Sequence, residues 1–421
     1  MLGQASLFAI ATASALVSAA KPAPGPAQTY AKCQRHSCGN PLLGCPPGTL
    51  YVSQTDKSAN FTKIQDAIDF LGNHTAPAYI LIGKGIYTEQ LNVTRQGPLT
   101  LLGQSAKPYK GIRYSNVEDA LASDEAAFVE NENDVQVFWN AANHDHRFAD
   151  NVFTSTLVVG PSLNATYTGA GPNGYPVDPA TPFGCVDFRA YNVDFRNNEF
   201  PRSNGPAHAV AVAYANAGFY SCGFYSYQDT VYVGKKGNAY FYDNIVGGQT
   251  DFLYGFGTAY LESSTLSLRN CGGGITAWKE YLGTNTTFEN KYGVYISDTR
   301  VVAANSTIAP VIAGKCSLGR PWNWQHRSVF MESYFDTSIL PQGYTPWGGA
   351  PQNVGPKTFM AVWDDRGPGN NVPAQIASNL TKVLDNAAVM PFRYPVDVFI
   401  TEDGEPGNIG WIDSSVLKGG Q

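Results

Sequence analysis

The chain is short of charge. Of its 421 residues 15% are Asp, Glu, Lys or Arg, while 43% are hydrophobic, ample for a large buried core. Its length permits two or three domains, although single β-architectures also reach this size. An excess of positive charge is lacking too. The formal net charge of −6 argues against a nucleic-acid partner and against simple electrostatic capture of a polyanion. Past the first twenty residues no run is apolar for long enough to cross a bilayer. The seven cysteines, Cys33, Cys38, Cys45, Cys185, Cys222, Cys271 and Cys316, lack the spacing of a zinc module. Their odd number leaves at least one thiol free or bridged to another chain. No Gly-x-Ser-x-Gly elbow occurs, so a serine hydrolase would have no nucleophile. Gly272-Gly273-Gly274 opens no helix and reads as a turn, not a phosphate cradle. His144 and His146 alternate in the polar stretch NHDHR and read as exposed side chains rather than metal ligands. No metal or other cofactor is expected.

What is present begins with residues 1–20, MLGQASLFAIATASALVSAA, uncharged and ending in small side chains. Its apolar part, Leu7 to Val17, is too short to span a bilayer and precedes the Pro-rich KPAPGPAQ, so it reads as a secretory signal. Seven N-x-S/T sequons fit an extracellular, glycosylated protein that is not held in a membrane. Residues 21–45 form a Pro- and Cys-containing lead-in, and residues 46–421 the main domain. Within it, Asn60 to Gly72 places apolar residues at 61, 64, 67, 68 and 71, a helical period closed by glycine. Helical patterning then nearly vanishes until about residue 372. Residues 105–150 are more polar and read as an insertion. Short runs such as AYILIG, PLTLLG, STLVVG and NAYFYDNIVG, cut by Gly, Asn and Pro, predict many short strands.

Two phrases, YQDTVYVG from Tyr227 and TDFLYGFG from Thr250, repeat an acidic residue followed three places later by tyrosine. A shift of 22 residues lays Phe219-Tyr220 on Phe241-Tyr242, Asp229 on Asp251 and Tyr232 on Tyr254. Periods in the twenties mark stacked coils, and no Leu-x-x-Leu-x-Leu consensus recurs, so a parallel β-helix is favoured over a leucine-rich repeat. A residue one coil later sits about 4.8 Å away, so Asp229 and Asp251 are expected as stacked neighbours on one outward face. Cys222 and Cys271 are 49 residues, about two coils, apart, beyond the reach of a disulfide. Both are expected as buried thiols, with any bridge elsewhere, first of all within residues 33–45.

Two carboxylates so close cannot both ionise comfortably near neutral pH, so an acid separates from a base or nucleophile. Arg320, set between Gly319 and Pro321-Trp322, is the cation that would fork onto one of them and keep it ionised. Gln228 supplies amide hydrogens for a developing oxyanion. Trp322, Tyr232, Tyr254 and Phe252 offer flat apolar walls suited to sugar rings.

From about residue 46 to about 415 the chain resembles the pectin methylesterases, carbohydrate esterase family 8, most of all their fungal members. The resemblance rests on GIYTEQ at 85–90, LTLLGQ at 99–104, HAVAVA at 208–213, the YQDTVY and DFLYG phrases, LGRPW at 318–322 and the segment around Trp411. It implies an all-β, right-handed parallel β-helix in one domain, with a short N-terminal helix and a C-terminal loop and helix segment. It implies metal-free hydrolysis of the methyl esters of polygalacturonate, with pectin as the macromolecular partner of a monomer. By the same resemblance Asp251 looks like the nucleophile and Asp229 like the acid that protonates methanol and then activates water. Gln228 is similar to the family's oxyanion donor, Arg320 to the partner of Asp251, and Tyr232, Tyr254 and Trp322 to the lining of the sugar cleft. One departure is His208, where the family has a second oxyanion glutamine. A neutral imidazole there either donates one N–H and makes the site pH-sensitive, or is a structural histidine satisfied by a coil neighbour. Either altered ester specificity or a catalytically silent wall-binding protein would follow from losing the donor, and a β-helix lyase or glycosidase is a further alternative. Asn244 stands where many members carry cysteine, a difference expected to affect packing or a missing bridge. Glu89 in GIYTEQ reads as structural.

Overall fold

The computed structural model describes residues 26–37, 39–108, 133–168, 178, 180–280, 292–349, 353–401 and 404–417. Residues 1–20, expected to be a secretory signal, Cys38 and much of the 105–150 stretch expected to be an insertion lie outside them. The short β-branched and aromatic runs form strands mostly three to five residues long. Among the described residues these build three parallel sheets of eleven, eight and six strands. One coil runs through Asn216–Tyr220, Gly223–Tyr225 and Val231–Val233, giving one strand to each sheet, and the next through Asn238–Tyr242, Ile245–Thr250 and Leu253–Gly255. The result is a right-handed parallel β-helix, the hand that parallel crossovers almost always take.

The 22-residue repeat is the register of this stack. Phe219 pairs with Phe241, Tyr220 with Tyr242 and Tyr232 with Tyr254. Inward-facing rings pile on their counterparts: Phe188, Phe219 and Phe241 follow one another at 5.8 and 5.0 Å between centroids. All three are fully buried; truncating such a ring to alanine costs about 3–5 kcal/mol. The period is not constant along the chain. Thr276 pairs with Gly319, a step of 43 residues, because loops are inserted between the strands.

Tight turns join the eleven-stranded sheet to the eight-stranded one. Asn192, Ser221, Asp243, Ser263, Asp298, Glu332 and Asp364 each follow a strand with φ between 47° and 56°. Asn and Asp tolerate this left-handed region best. Polar residues that follow three of these turns build internal hydrogen bonds from coil to coil. Asn244 Oδ1 accepts from Cys222 N at 2.7 Å, Ser264 Oγ from Asn244 N at 3.1 Å and Ser333 Oγ from Thr299 N at 3.3 Å. Asn244 is therefore a rung that satisfies buried backbone groups, a larger role than packing alone.

The predicted helix forms over Ile64–Leu71 and buries Ile64, Ala67 and Ile68, with Gly72 ending it at φ 55°. Glu89 is structural: its carboxylate accepts from Ile64 N and Gln65 N, both at 3.0 Å, and so satisfies the helix's first amides. A further helix, Pro26–Gln34, lies in the lead-in. The C-terminal segment packs Val389, Phe399, Trp411 and Ile412 against a row of outward tyrosines on the eleven-stranded sheet. Tyr191 donates to Asp413 Oδ2 at 2.9 Å, and Asp413 N donates to the Tyr220 hydroxyl at 2.7 Å.

Cys33 and Cys45 form a disulfide, within the segment expected to hold one, and Cys222 is a buried thiol as expected. Cys185 is a second buried thiol. Cys271 corrects the sequence reading: it is bridged to Cys316, with 4.9 Å between Cα atoms. The long coil explains the difference. Although 45 residues apart, these cysteines lie one coil apart, because the extra chain loops out between them.

Candidate active site

Asp229 and Asp251 each occupy the turn between a strand of the eight-stranded sheet and one of the six-stranded sheet. Asp229 N donates to Thr250 O at 3.0 Å, and Gln228 bridges Thr250, so the two aspartates stand in consecutive coils. Their φ values are 60° and 49°. Aspartate tolerates this left-handed region, as at the other turns of the coil. The side chains face outward yet are nearly enclosed, with Asp229 8% and Asp251 6% exposed.

Arg320 forks onto Asp251. Its Nε donates to Oδ1 at 2.9 Å and its Nη2 to Oδ2 at 2.6 Å, a two-point charge-assisted contact. Gly274 N adds a third donor to Oδ1 at 3.2 Å. Asp229 has no hydrogen-bond donor among the described residues. Burial is the main cause that pushes the Asp229 carboxyl well above its ordinary range, the Asp251 charge pushes it further, and Arg320 opposes both. Burial also raises Asp251, but there the Arg320 bonds and the Gly274 amide pull it back. The sequence reading expected Asp251 to stay low. Burial outweighs the guanidinium, so both carboxyls are raised while their order is kept.

Gln228 is oriented for donation. Its Oε1 accepts from Ser203 Oγ at 2.7 Å and Gly205 N at 3.2 Å. A backbone N–H can only donate, which assigns the amide oxygen to that side and turns Nε2 the other way.

Not every expected residue reaches the cleft. Phe252 is fully buried in the helix core together with its neighbour Leu253, because the left-handed turn at Asp251 breaks the strand alternation. Tyr232 is fully buried as well, its hydroxyl donating to Tyr167 O at 3.2 Å beneath the segment that carries Phe153 and Tyr167. Tyr254 is 3% exposed, with its ring 5.0 Å from that of Tyr232 and 5.6 Å from that of Trp322. Of the four aromatic residues predicted as walls, Trp322 alone is only partly buried. Lys279 Nζ lies 3.5 Å over its ring.

His208 also differs from one of its two readings. It is fully buried, with Nδ1 3.0 Å from Ser155 Oγ and Nε2 2.5 Å from the Tyr254 hydroxyl. Burial pushes its pKa down to about 3, so the ring is neutral throughout the pH range of a folded protein and is no switch near neutrality. Both nitrogens are engaged, which leaves His208 itself no hydrogen to offer a substrate.

Two contributors were missed in the sequence. Gly273, at φ 70°, packs so closely that a Cβ would stand 2.7 Å from both the Arg320 guanidinium and Asp251 Oδ1. The signal was available, since Gly273 lies 22 residues past Asp251, one more step of the same period. Trp347 stacks under Arg320 at 3.9 Å, and no spacing pointed to it.

A raised carboxyl has a consequence for stability. Because Asp229 titrates above its ordinary 3.8, the folded protein holds that proton more tightly than the unfolded chain does. Its contribution is fully present below the unfolded value and is lost as pH rises through the folded one. Asp229→Asn is therefore expected to raise Tm at pH 7 relative to the unaltered protein, with the gap shrinking toward pH 4. Thermal melts at both pH values check this, and an equal or lower Tm for the variant at pH 7 contradicts it.

Comparison with known proteins gives the family and the fold. Residues 179–403, more than half of the chain, match the family described as Pectinesterase. A probable pectinesterase/pectinesterase inhibitor of Arabidopsis thaliana is 34% identical over 239 residues, 54% of this chain and 42% of that protein. The probable pectinesterase A of Aspergillus niger is 27% identical over 305 residues, covering 71% of this chain and 73% of its own length. This chain thus spans about two fifths of the first relative and nearly three quarters of the second. The crystal structure of the pectin methylesterase from Aspergillus niger has the same fold, with a TM-score of 0.61 at 22% identity over 88% of this chain and 98% of that one. By these matches the chain belongs to the pectinesterase family.

Proposed function

We propose that this protein hydrolyses the methyl esters of pectin, releasing methanol and leaving free galacturonate carboxylates. The observation that carries the reading is a pair of aspartates in adjacent coils, one of them bonded at both oxygens by a guanidinium and the other not. Asp251 is clamped by Arg320 from one side, while Asp229 has no cation bonded to it. In the proposed reaction an Asp251 carboxylate oxygen attacks the ester carbonyl carbon, and the carbonyl electron pair moves onto oxygen. Gln228 Nε2 donates to that oxyanion. As the C–O bond to methoxide breaks, Asp229 gives its proton to the leaving oxygen, and methanol departs from an Asp251 acyl anhydride. The Asp229 carboxylate then takes a proton from water, whose oxygen attacks the acyl carbon and restores both aspartates. Arg320 holds Asp251 in line and keeps enough of it ionised to act.

Pectin is the proposed substrate class because relatives of the family carry the pectinesterase name and the partly exposed Trp322 packs on Tyr254, three residues past Asp251. Secretion is proposed from the uncharged apolar stretch at residues 1–20. The test is product analysis on highly methylated polygalacturonate. Methanol and new carboxylates are expected in equal amounts, with unchanged chain length and no unsaturated ends. Binding without methanol, or chain shortening, overturns the proposal.

A further inference from the structure

Building on the esterase reading above, we infer that the Tyr254 hydroxyl is a second hydrogen-bond donor to the ester oxyanion, positioned by His208 and Ser155. The coil position that would carry a second donor holds His208, which is sealed from the cleft. Its Nε2 meets the Tyr254 hydroxyl at 2.5 Å, so the imidazole reaches the cleft only through that phenol. Val210 pairs with Val231, so His208 lies one coil below Asp229, and the Tyr254 hydroxyl that meets it stands beside the column of the aspartates.

A neutral imidazole carries one proton, and the two contacts of His208 fit either tautomer. In the arrangement inferred here the Ser155 hydroxyl donates to Nδ1, so the proton sits on Nε2 and is given to the Tyr254 oxygen. The phenol oxygen then accepts from His208, and its own hydrogen is free to point at the ester. The bond received at the oxygen strengthens the one it donates. The phenol keeps its proton throughout, since burial and the Asp229 charge both disfavour the phenolate. No bond to hydrogen is broken in this role. His208 and Ser155 are positioning residues, and Tyr254 touches the reacting oxygen.

The test joins kinetics with a readout independent of turnover. Tyr254→Phe keeps the ring against Tyr232 and Trp322, so KM is expected to change by less than about threefold while kcat falls roughly 10²-fold, as for loss of one oxyanion donor. His208→Gln on that background puts an amide beside the vacated hydroxyl position and is expected to recover at least tenfold in kcat. A Tyr254→Phe enzyme within twofold of the unaltered kcat, or a double variant no faster than Tyr254→Phe, overturns the inference. Nitrogen NMR of histidine-labelled protein, assigned by difference against His208→Gln, reads the tautomer directly and needs no activity. A proton on Nε2 is expected, and one on Nδ1 overturns it. If the unaltered protein releases no methanol, the esterase reading fails, while the NMR result still decides the hydrogen-bond arrangement proposed here.

Discussion

Asp251→Asn is expected to lower kcat for methanol release by roughly 10⁴- to 10⁶-fold, the range seen when an enzyme loses the group that forms its covalent intermediate. Asparagine has nearly the same shape and still offers Arg320 one oxygen, so the cleft keeps its form. What it lacks is a carboxylate able to attack a carbonyl carbon and leave again as an anhydride. Residual activity would come from water placed near Gln228 Nε2 and Asp229, which can polarise and protonate an ester without forming the acyl enzyme. Folding is a separate question, because Arg320 loses its formal counter-charge while keeping Trp347 against its plane at 3.9 Å. Tm and kcat should therefore be measured on the same preparation. Methanol release from Asp251→Asn within tenfold of the unaltered rate, in a folded protein, would remove Asp251 from the nucleophile's role.

Arg320→Ala should move the whole pH–rate profile toward higher pH. Arg320 holds down both carboxyls, through two hydrogen bonds and its charge on Asp251 and through its charge on Asp229. Without it, burial acts on Asp251 against the Gly274 amide alone, so the ionised form appears at higher pH. The acid limb of kcat/KM, which follows ionisation of Asp251, rises accordingly. The alkaline limb follows loss of the Asp229 proton and rises as well, because that proton is now held more tightly. Removing one partner of a buried ion pair also destabilises, by about 3–5 kcal/mol when fully enclosed. Arg320 is about a fifth exposed along its side chain, which favours the lower end. Arg320→Lys is expected to restore charge but little rate, because an ammonium cannot make the two-point contact or lie flat on Trp347. A pH profile of Arg320→Ala that overlays the unaltered one would show that the guanidinium sets neither carboxyl.

The aromatic residues show where pattern reading stops. Tyr232 and Phe252 sit in the same phrases as the aspartates, and one-dimensional proximity placed both in the cleft. Phe252 and Leu253 both point inward, because the left-handed turn at Asp251 breaks strand alternation. Tyr232 is different. Its outward direction is right, but the segment carrying Phe153 and Tyr167 folds over it, and no local pattern announces a contact between residues 65 apart. Cys271 shows the same limit, since a disulfide depends on how much chain is looped out between two coils.

Period and composition were enough to establish stacked parallel strands, the helix ended by Gly72 and two aspartates set one coil apart. These follow from short-range rules: side-chain alternation, turn preference and a repeat that maps sequence distance onto strand spacing. The burial that raises both carboxyls, the closure over His208 and Tyr232, and the approach of Trp347 to Arg320 were decided by the folded chain alone. They depend on loops whose paths are set by packing against distant coils, and burial, unlike periodicity, is a property of everything that surrounds a residue.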